Sequence, residues 1–229
     1  MCCISPAPGS FPPPTGSKVA SRIWLARAAG LDDTIRVADT IGMKMVETLS
    51  NHFLIAMPAL SDPNFHHTTT YICEHNSDGA LGLIINRPLE LQLGDLLKYM
   101  DIRTDNRDTA AQRIFMGGPV QSDRGFVLHE PVGHWEATLQ ITENTGVTSS
   151  RDILEAIACG EGPEKSFITL GYAGWGAEQL EQEIAANAWL SGPASTRIVF
   201  DTPYEQRWEA AAALIGVDLN LISGDAGHA

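Results

Sequence analysis

Apolar and polar positions organise the chain unevenly, and the dense patterning begins at Asn51. Phe53 to Met57 is a short apolar run stopped by Pro58, which predicts a strand, and Asp62-Pro63-Asn64 is turn chemistry. Thr68 to His75 alternates and is rich in Thr, Tyr and Ile. Four turn formers, Asn76-Ser77-Asp78-Gly79, separate it from the apolar run Ala80 to Ile85, so the two runs predict a hairpin. A short helix is expected over Gly94 to Met100, and residues 101–113 read as a charged surface loop. Ile114 to Met116, Gly125 to His129 and Leu139 to Ile141 predict three further strands.

Later in the chain strands alternate with helices. The Ser149 to Asp152 spacing predicts a capping box for a helix whose apolar face is Ile153, Leu154 and Ile157. Phe167 to Leu170 predicts a buried strand leading into Gly171-Tyr172-Ala173-Gly174-Trp175-Gly176. The helix after it carries Leu180, Ile184 and Ala188 and stops at Ser191-Gly192-Pro193. Arg197 to Phe200 reads as a strand. Thr202, Pro203 and Glu205 then predict a second capped helix, with Tyr204, Trp208, Ala211 and Ile215 as its buried stripe and Gly216 as its stop. The sum, about seven strands and four helices, is a single α+β domain.

Residues 1–45 read differently. Pro6, Pro8 and Pro12 to Pro14 predict disorder over residues 1–17, and Lys18, Arg22 and Arg27 precede any acid, a faint likeness to a transit peptide. The stronger expectation is an extension foreign to the fold or an upstream start, with Met43 or Met45 opening a compact chain; residues 46–229 then form the domain.

Composition narrows the function. With 44% hydrophobic and 19% charged residues among 229, the chain is of ordinary globular type, and no apolar run approaches the ~18 residues of a membrane span. The net charge is −13. Residues 1–49 hold five basic and four acidic side chains, so the negative charge belongs to the body. An acidic body without a Lys/Arg cluster repels phosphate backbones, which disfavours direct nucleic-acid binding. Cys2, Cys3, Cys73 and Cys159 form neither a disulfide framework nor a CxxC zinc pair, so a reducing cytoplasm is expected. Cys2 and Cys3 lack the preceding apolar region of a lipoprotein signal.

Candidate chemistry is sparse. The G-x-x-G-x-G run at Gly171 to Gly176 has neither dinucleotide nor P-loop spacing, and Glu178 and Glu181 would repel a phosphate there; close packing explains it better. The same layout resembles a nucleophile elbow, yet its apex is Ala173, which has no nucleophilic atom. Cys73 and His75 share a strand face by alternation and read as buried structure or as a Cys/His pair. The histidines show no HxxxH or HExxH spacing, so no metal or cofactor is called for. Asn86-Arg87 ends one apolar run, and Asp123-Arg124 introduces the strand that finishes at His129. Strand ends present polar side chains to pockets, and two Arg could hold an anion; the same residues could equally be turn caps and Arg–Asp bridges. The candidate binding cluster is therefore Asn86, Arg87, Asp123, Arg124, His129 and His75.

The stretches Asn51 to Pro58, Tyr71 to Asn76, Gly82 to Leu89, Gly117 to Val120, Asp123 to Phe126 and Ala226 to Ala229, in that order, resemble the AlgH/YqgE family of bacterial proteins. The resemblance covers residues 50–229 and leaves residues 1–45 outside. It implies a single domain with a bifurcated, mainly antiparallel sheet folded into a pseudo-barrel with flanking helices, in a cytosolic protein. One branch is described as a transcriptional regulator of alginate synthesis, and the family supplies no agreed catalytic residues. The expectation is a non-catalytic binding or regulatory domain with a protein or small-molecule partner. The enzyme alternative would use His75 or His129 as acid or base and Arg87 and Arg124 as anion holders. A direct transcription factor is disfavoured by the charge.

Overall fold

The computed structural model describes residues 48–222, which fall in one compact unit. The readings of residues 1–45 and of the tail Ala226 to Ala229 lie outside the described residues. Strands β1 (His52–Ala56), β2 (Thr69–Asn76) and β3 (Gly79–Ile84) form an antiparallel meander. The hairpin closes as expected, with Asn76 opposite Gly79 and the Asp78 amide donating to Asn76 Oδ1 at 2.8 Å. Gly79 has φ +134°, and a Cβ there would lie 2.1 Å from the Trp175 carbonyl oxygen.

The spine of the sheet is β9 (Lys165–Gly176). Its C-terminal part pairs with β3 from Ala173 to Gly176, and its N-terminal part pairs with β6 (Val120–Glu130). β5 (Arg113–Met116) joins the other edge of that N-terminal part in parallel and carries β4 (Pro88–Gln92) with it. The sheet bifurcates here. The main path runs β10 (Trp189–Pro193), β1, β2, β3, β9, β6, β8 (Gly146–Thr148), β7 (Thr138–Gln140) and curls into a half-barrel. At the branch, Gly117 and Gly118 cross the kink at Gly171, whose φ is +72°. A Cβ at Gly117 would sit 2.3 Å from the Gly171 oxygen, and one at Gly118 2.2 Å from the Tyr172 carbonyl carbon. The glycines of this region serve a contact between two backbones.

Helices cover the sheet in separate patches. α1 (Leu93–Tyr99) and α3 (Arg151–Cys159) bury Leu93, Leu97, Ile153, Leu154 and Ile157 against Ile114, Val127 and Ile168. α4 (Gln179–Ala185) places Leu180 on Leu54, Ile72, Trp175 and Trp189. α6 (Arg207–Leu214) packs Ala211 and Ala212 inward.

Several elements differ from expectation. Arg197 to Phe200 belongs to a short helix, α5 (Thr196–Phe200): the Ile198 and Val199 amides bond the Ser195 carbonyl, and a short apolar run carries no period that separates strand from helix. The helix after β9 ends at Ala185, because Asn187 turns left-handed at φ +57°, and Trp189 to Pro193 becomes edge strand β10. Residues 101–113 contain α2 (Arg107–Ala110), capped by Asn106 Oδ1, which accepts from the Asp108 and Thr109 amides. The expected capping box does not form. Ser150 is the N-cap of α3, and its hydroxyl and the Asp152 carboxylate instead accept from the Ala137 and Glu136 amides. Tyr204 to Gln206 is a 3₁₀ turn, and Arg207, not Tyr204, enters the core.

Candidate functional site

Asn86 and Arg87 leave β3 and reach back to the loop before β2. Asn86 Nδ2 donates to the His67 carbonyl and its Oδ1 accepts from the Thr69 amide, both at 2.9 Å. Arg87 spreads its guanidinium over two carbonyls, Nη1 to Pro63 and Nη2 to His66, both at 2.8 Å. The clamped loop holds His67 at φ +54°, a conformation uncommon for a residue with a Cβ. Its ring stacks on His66 at 3.8 Å and on Trp208 at 4.2 Å between centroids. Trp208 is fixed in turn by an indole bond to the Ala56 carbonyl at 3.0 Å. Desolvation, then the neighbouring His66 and Arg87 charges, pull the His67 pKa below its ordinary value. A three-ring stack with Arg87 beside it therefore faces solvent at this end of the sheet.

Asp123 and Arg124 lie on a bulge. Four residues of β6 loop out between the Val120–Tyr172 and Gly125–Leu170 pairs. Arg124 turns inward, its Nη2 donating to Ser149 Oγ at 2.9 Å and its guanidinium 5.4 Å from the Phe126 ring centre; Asp123 is exposed. Burial lowers the Arg124 pKa, and the Tyr172 phenol counters that.

His129 is completely buried. Its Nδ1 contacts the Pro131 carbonyl at 2.9 Å, which requires a proton there, so Nε2 accepts from Thr148 Oγ1 at 2.8 Å. Thr138 continues the chain to Thr148 at 2.6 Å. Burial depresses the His129 pKa. His75 is saturated in the same way: Nδ1 accepts from the Leu49 amide at 3.0 Å and Nε2 donates to Glu181 Oε1 at 2.9 Å. Cys73 occupies the bulge in the β2–β3 ladder, buried, with its thiol on the Tyr71 carbonyl and its pKa raised by desolvation.

The six residues do not converge. His75 lies across the ladder from Ala80, which faces Trp175, whereas His129 faces Ser166. Nine residues of β9, about 30 Å of strand, separate the two levels. Asn86 and Arg87 turn toward the 63–67 loop, and Arg124 toward Ser149 at the start of α3. Among the described residues no group of three or more His, Cys, Asp or Glu side chains is placed to hold a metal ion.

The AlgH-like family model matches residues 53–220, most of the described fold. The chain belongs to the AlgH-like family. It is 58% identical to a UPF0301 protein of Nitrosococcus oceani over 82% of its own length and 100% of that protein's. The solution structure of the AlgH protein from Pseudomonas aeruginosa is 49% identical, with a TM-score of 0.67 over 82% of this chain and 100% of that one. A crystal structure from Corynebacterium diphtheriae, 18% identical with a TM-score of 0.60, covers 78% of this chain and 93% of that one, and shares the fold. No helix among the described residues of this AlgH-like chain is long and apolar enough to cross a membrane.

Two polar anchors of this AlgH-like fold, one half-buried and one buried, escape the sequence patterns. Glu183 Oε2 accepts from the indoles of both Trp175 and Trp189, at 2.9 and 2.8 Å, and so ties α4 to two strands. Arg207 is 6% exposed, donates to the Thr202 and Ile85 carbonyls, and lies 4.9 Å from the Phe167 ring centre and 5.5 Å from that of Phe115. Burial pushes its pKa down to about 10. Its signal in the sequence is the spacing to Ala211, one helical turn on, which puts the arginine on the buried stripe.

Proposed function

We propose that this AlgH-like chain is a non-catalytic binding domain of regulatory type, working in the cytosol through a protein or small-molecule partner. The observation that carries this reading is the state of its histidines. His75 and His129 have both ring nitrogens engaged and stand about 30 Å apart along β9, so neither has a lone pair or proton to spend on a substrate. The contact face we assign is the Asn86–Arg87 end of the sheet. There the His66–His67–Trp208 stack offers an aromatic surface, and Arg87 keeps donor capacity beyond its two carbonyl bonds. The acidic body argues against a direct DNA contact at this face.

The test is a broad hydrolase and transferase screen of the full chain. The expected result is no turnover. Turnover abolished by Arg87→Ala or by His67→Ala would overturn the reading.

A further inference from the structure

A cavity of about 350 Å³ opens where the C-terminal end of α3 meets the start of β9, α2 and the end of α5. Its volume lies at the small end of the range for small-molecule sites. Unlike the strand-end residues, the polar groups around it are largely uncommitted. Thr109 is 93% buried and lines the cavity, yet its hydroxyl makes no hydrogen bond among the described residues, and the same holds for Ser166. Both hydroxyls open onto the cavity, Thr109 from a buried residue and Ser166 from a half-buried one, and each has a donor and acceptor capacity that a ligand there can take up. Lys165 and Asp201 face each other loosely, 3.4 Å apart, both partly exposed, with Phe200 beneath the ammonium at 5.8 Å.

The charges select the ligand. Lys165 is the one cation among the lining residues, against Glu164 and Asp201. A bare anion would meet two carboxylates. A metal ion would lack a convergent donor set. The nine-residue α3 ends at Gly160 on the cavity wall, and the negative end of its dipole favours an ammonium group there. Lys165, Thr109 and Ser166 can donate to a carboxylate, while Ile157 and Phe200 supply apolar wall.

We propose that this cavity binds a free α-amino acid with an apolar side chain, taken as the zwitterion: its carboxylate replaces Asp201 at Lys165, and its ammonium is held by Asp201 and Glu164. The site uses none of the residues of the contact face above and stands whether or not that face binds a partner.

The test is an amide-shift titration of the full chain by NMR with L-leucine, with 4-methylpentanoate, which lacks the amine, and with 3-methylbutylamine, which lacks the carboxylate. Leucine is expected to shift the amides of Thr109, Gly160 and Lys165 saturably in the millimolar range, with each half-ligand at least about tenfold weaker. Lys165→Met and Asp201→Asn are each expected to weaken leucine about tenfold, and Lys165→Arg to retain most of it. Arg87→Ala leaves the titration unchanged, which separates this site from the contact face. The proposal fails if none of the twenty amino acids gives a saturable shift at these amides. It fails equally if a half-ligand binds as well as leucine, or if well-dispersed spectra of Lys165→Met and Asp201→Asn show undiminished binding.

Discussion

The strand ends and the cavity beside α3 use the same residue types for opposite purposes. At the strand ends Asn86, His75 and His129 spend their hydrogen-bonding capacity inside the protein, on carbonyls, amides, a hydroxyl and a carboxylate, and Arg87 gives two of its five donors to carbonyls. Around the cavity Thr109 and Ser166 spend none, and Lys165 and Asp201 share a loose ion pair. A polar residue at the end of a strand is therefore not by itself evidence of a site. The informative quantity is the capacity left over once the fold has taken its share.

The contrast breaks most visibly at His129. Replacing it by Leu removes both hydrogen bonds of a fully buried ring, leaves the Thr148 hydroxyl with Thr138 as its one remaining side-chain partner and puts a differently shaped side chain in the core, so chemical denaturation should show a loss of about 2–4 kcal/mol. The milder His129→Gln carries a test of pH dependence. Because burial lowers the folded-state pKa of His129 below 6.5, the unfolded chain binds the extra proton first, and stability falls as pH drops from 6.5 toward that lower value. The difference between wild type and His129→Gln should shrink over that window. A constant difference would mean that the imidazole titrates equally in both states.

A smaller effect is expected at Asn86. Its replacement by Ala frees the Thr69 amide and the His67 carbonyl, at a cost of about 1–2 kcal/mol, with faster hydrogen exchange confined to residues 63–69. Thr109→Val should leave stability within about 0.5 kcal/mol of wild type, since its hydroxyl supports nothing in the fold. A loss as large as that at Asn86 would erase the distinction between the two regions.

What the sequence discloses follows from how local each cause is. The Asn76–Gly79 hairpin is legible because the turn residues sit between the strands they join. The same is true of α1, where Leu93 and Leu97 repeat at helical spacing. α5 is misread because a five-residue segment with three consecutive apolar residues is compatible with either element, and β10 is missed because it is defined by pairing with β1, more than a hundred residues earlier. The glycines at 171, 174 and 176 look like a loop, yet β9 runs through them, and Gly171 is explained only by the crossing of Gly117 and Gly118. The resemblance to the AlgH-like family supplied the bifurcated sheet that no periodicity contains. The cavity is illegible for a similar reason: Thr109, Ile157, Lys165 and Asp201 come from four separate segments, and nothing in their spacing marks them as neighbours.

The central place of β9 also sets a clock. Gly79 has to wait for Gly176, and Phe115 for Thr169, before the meander and the branch acquire their common neighbour. At a synthesis rate of about 5–20 residues per second, the open edge of β3 stands unpaired for about 5–20 s on the ribosome. An apolar strand edge exposed for that long is an opportunity for pairing with another nascent chain. The vulnerable moment of this protein thus falls during its manufacture, before the last quarter of the chain has emerged.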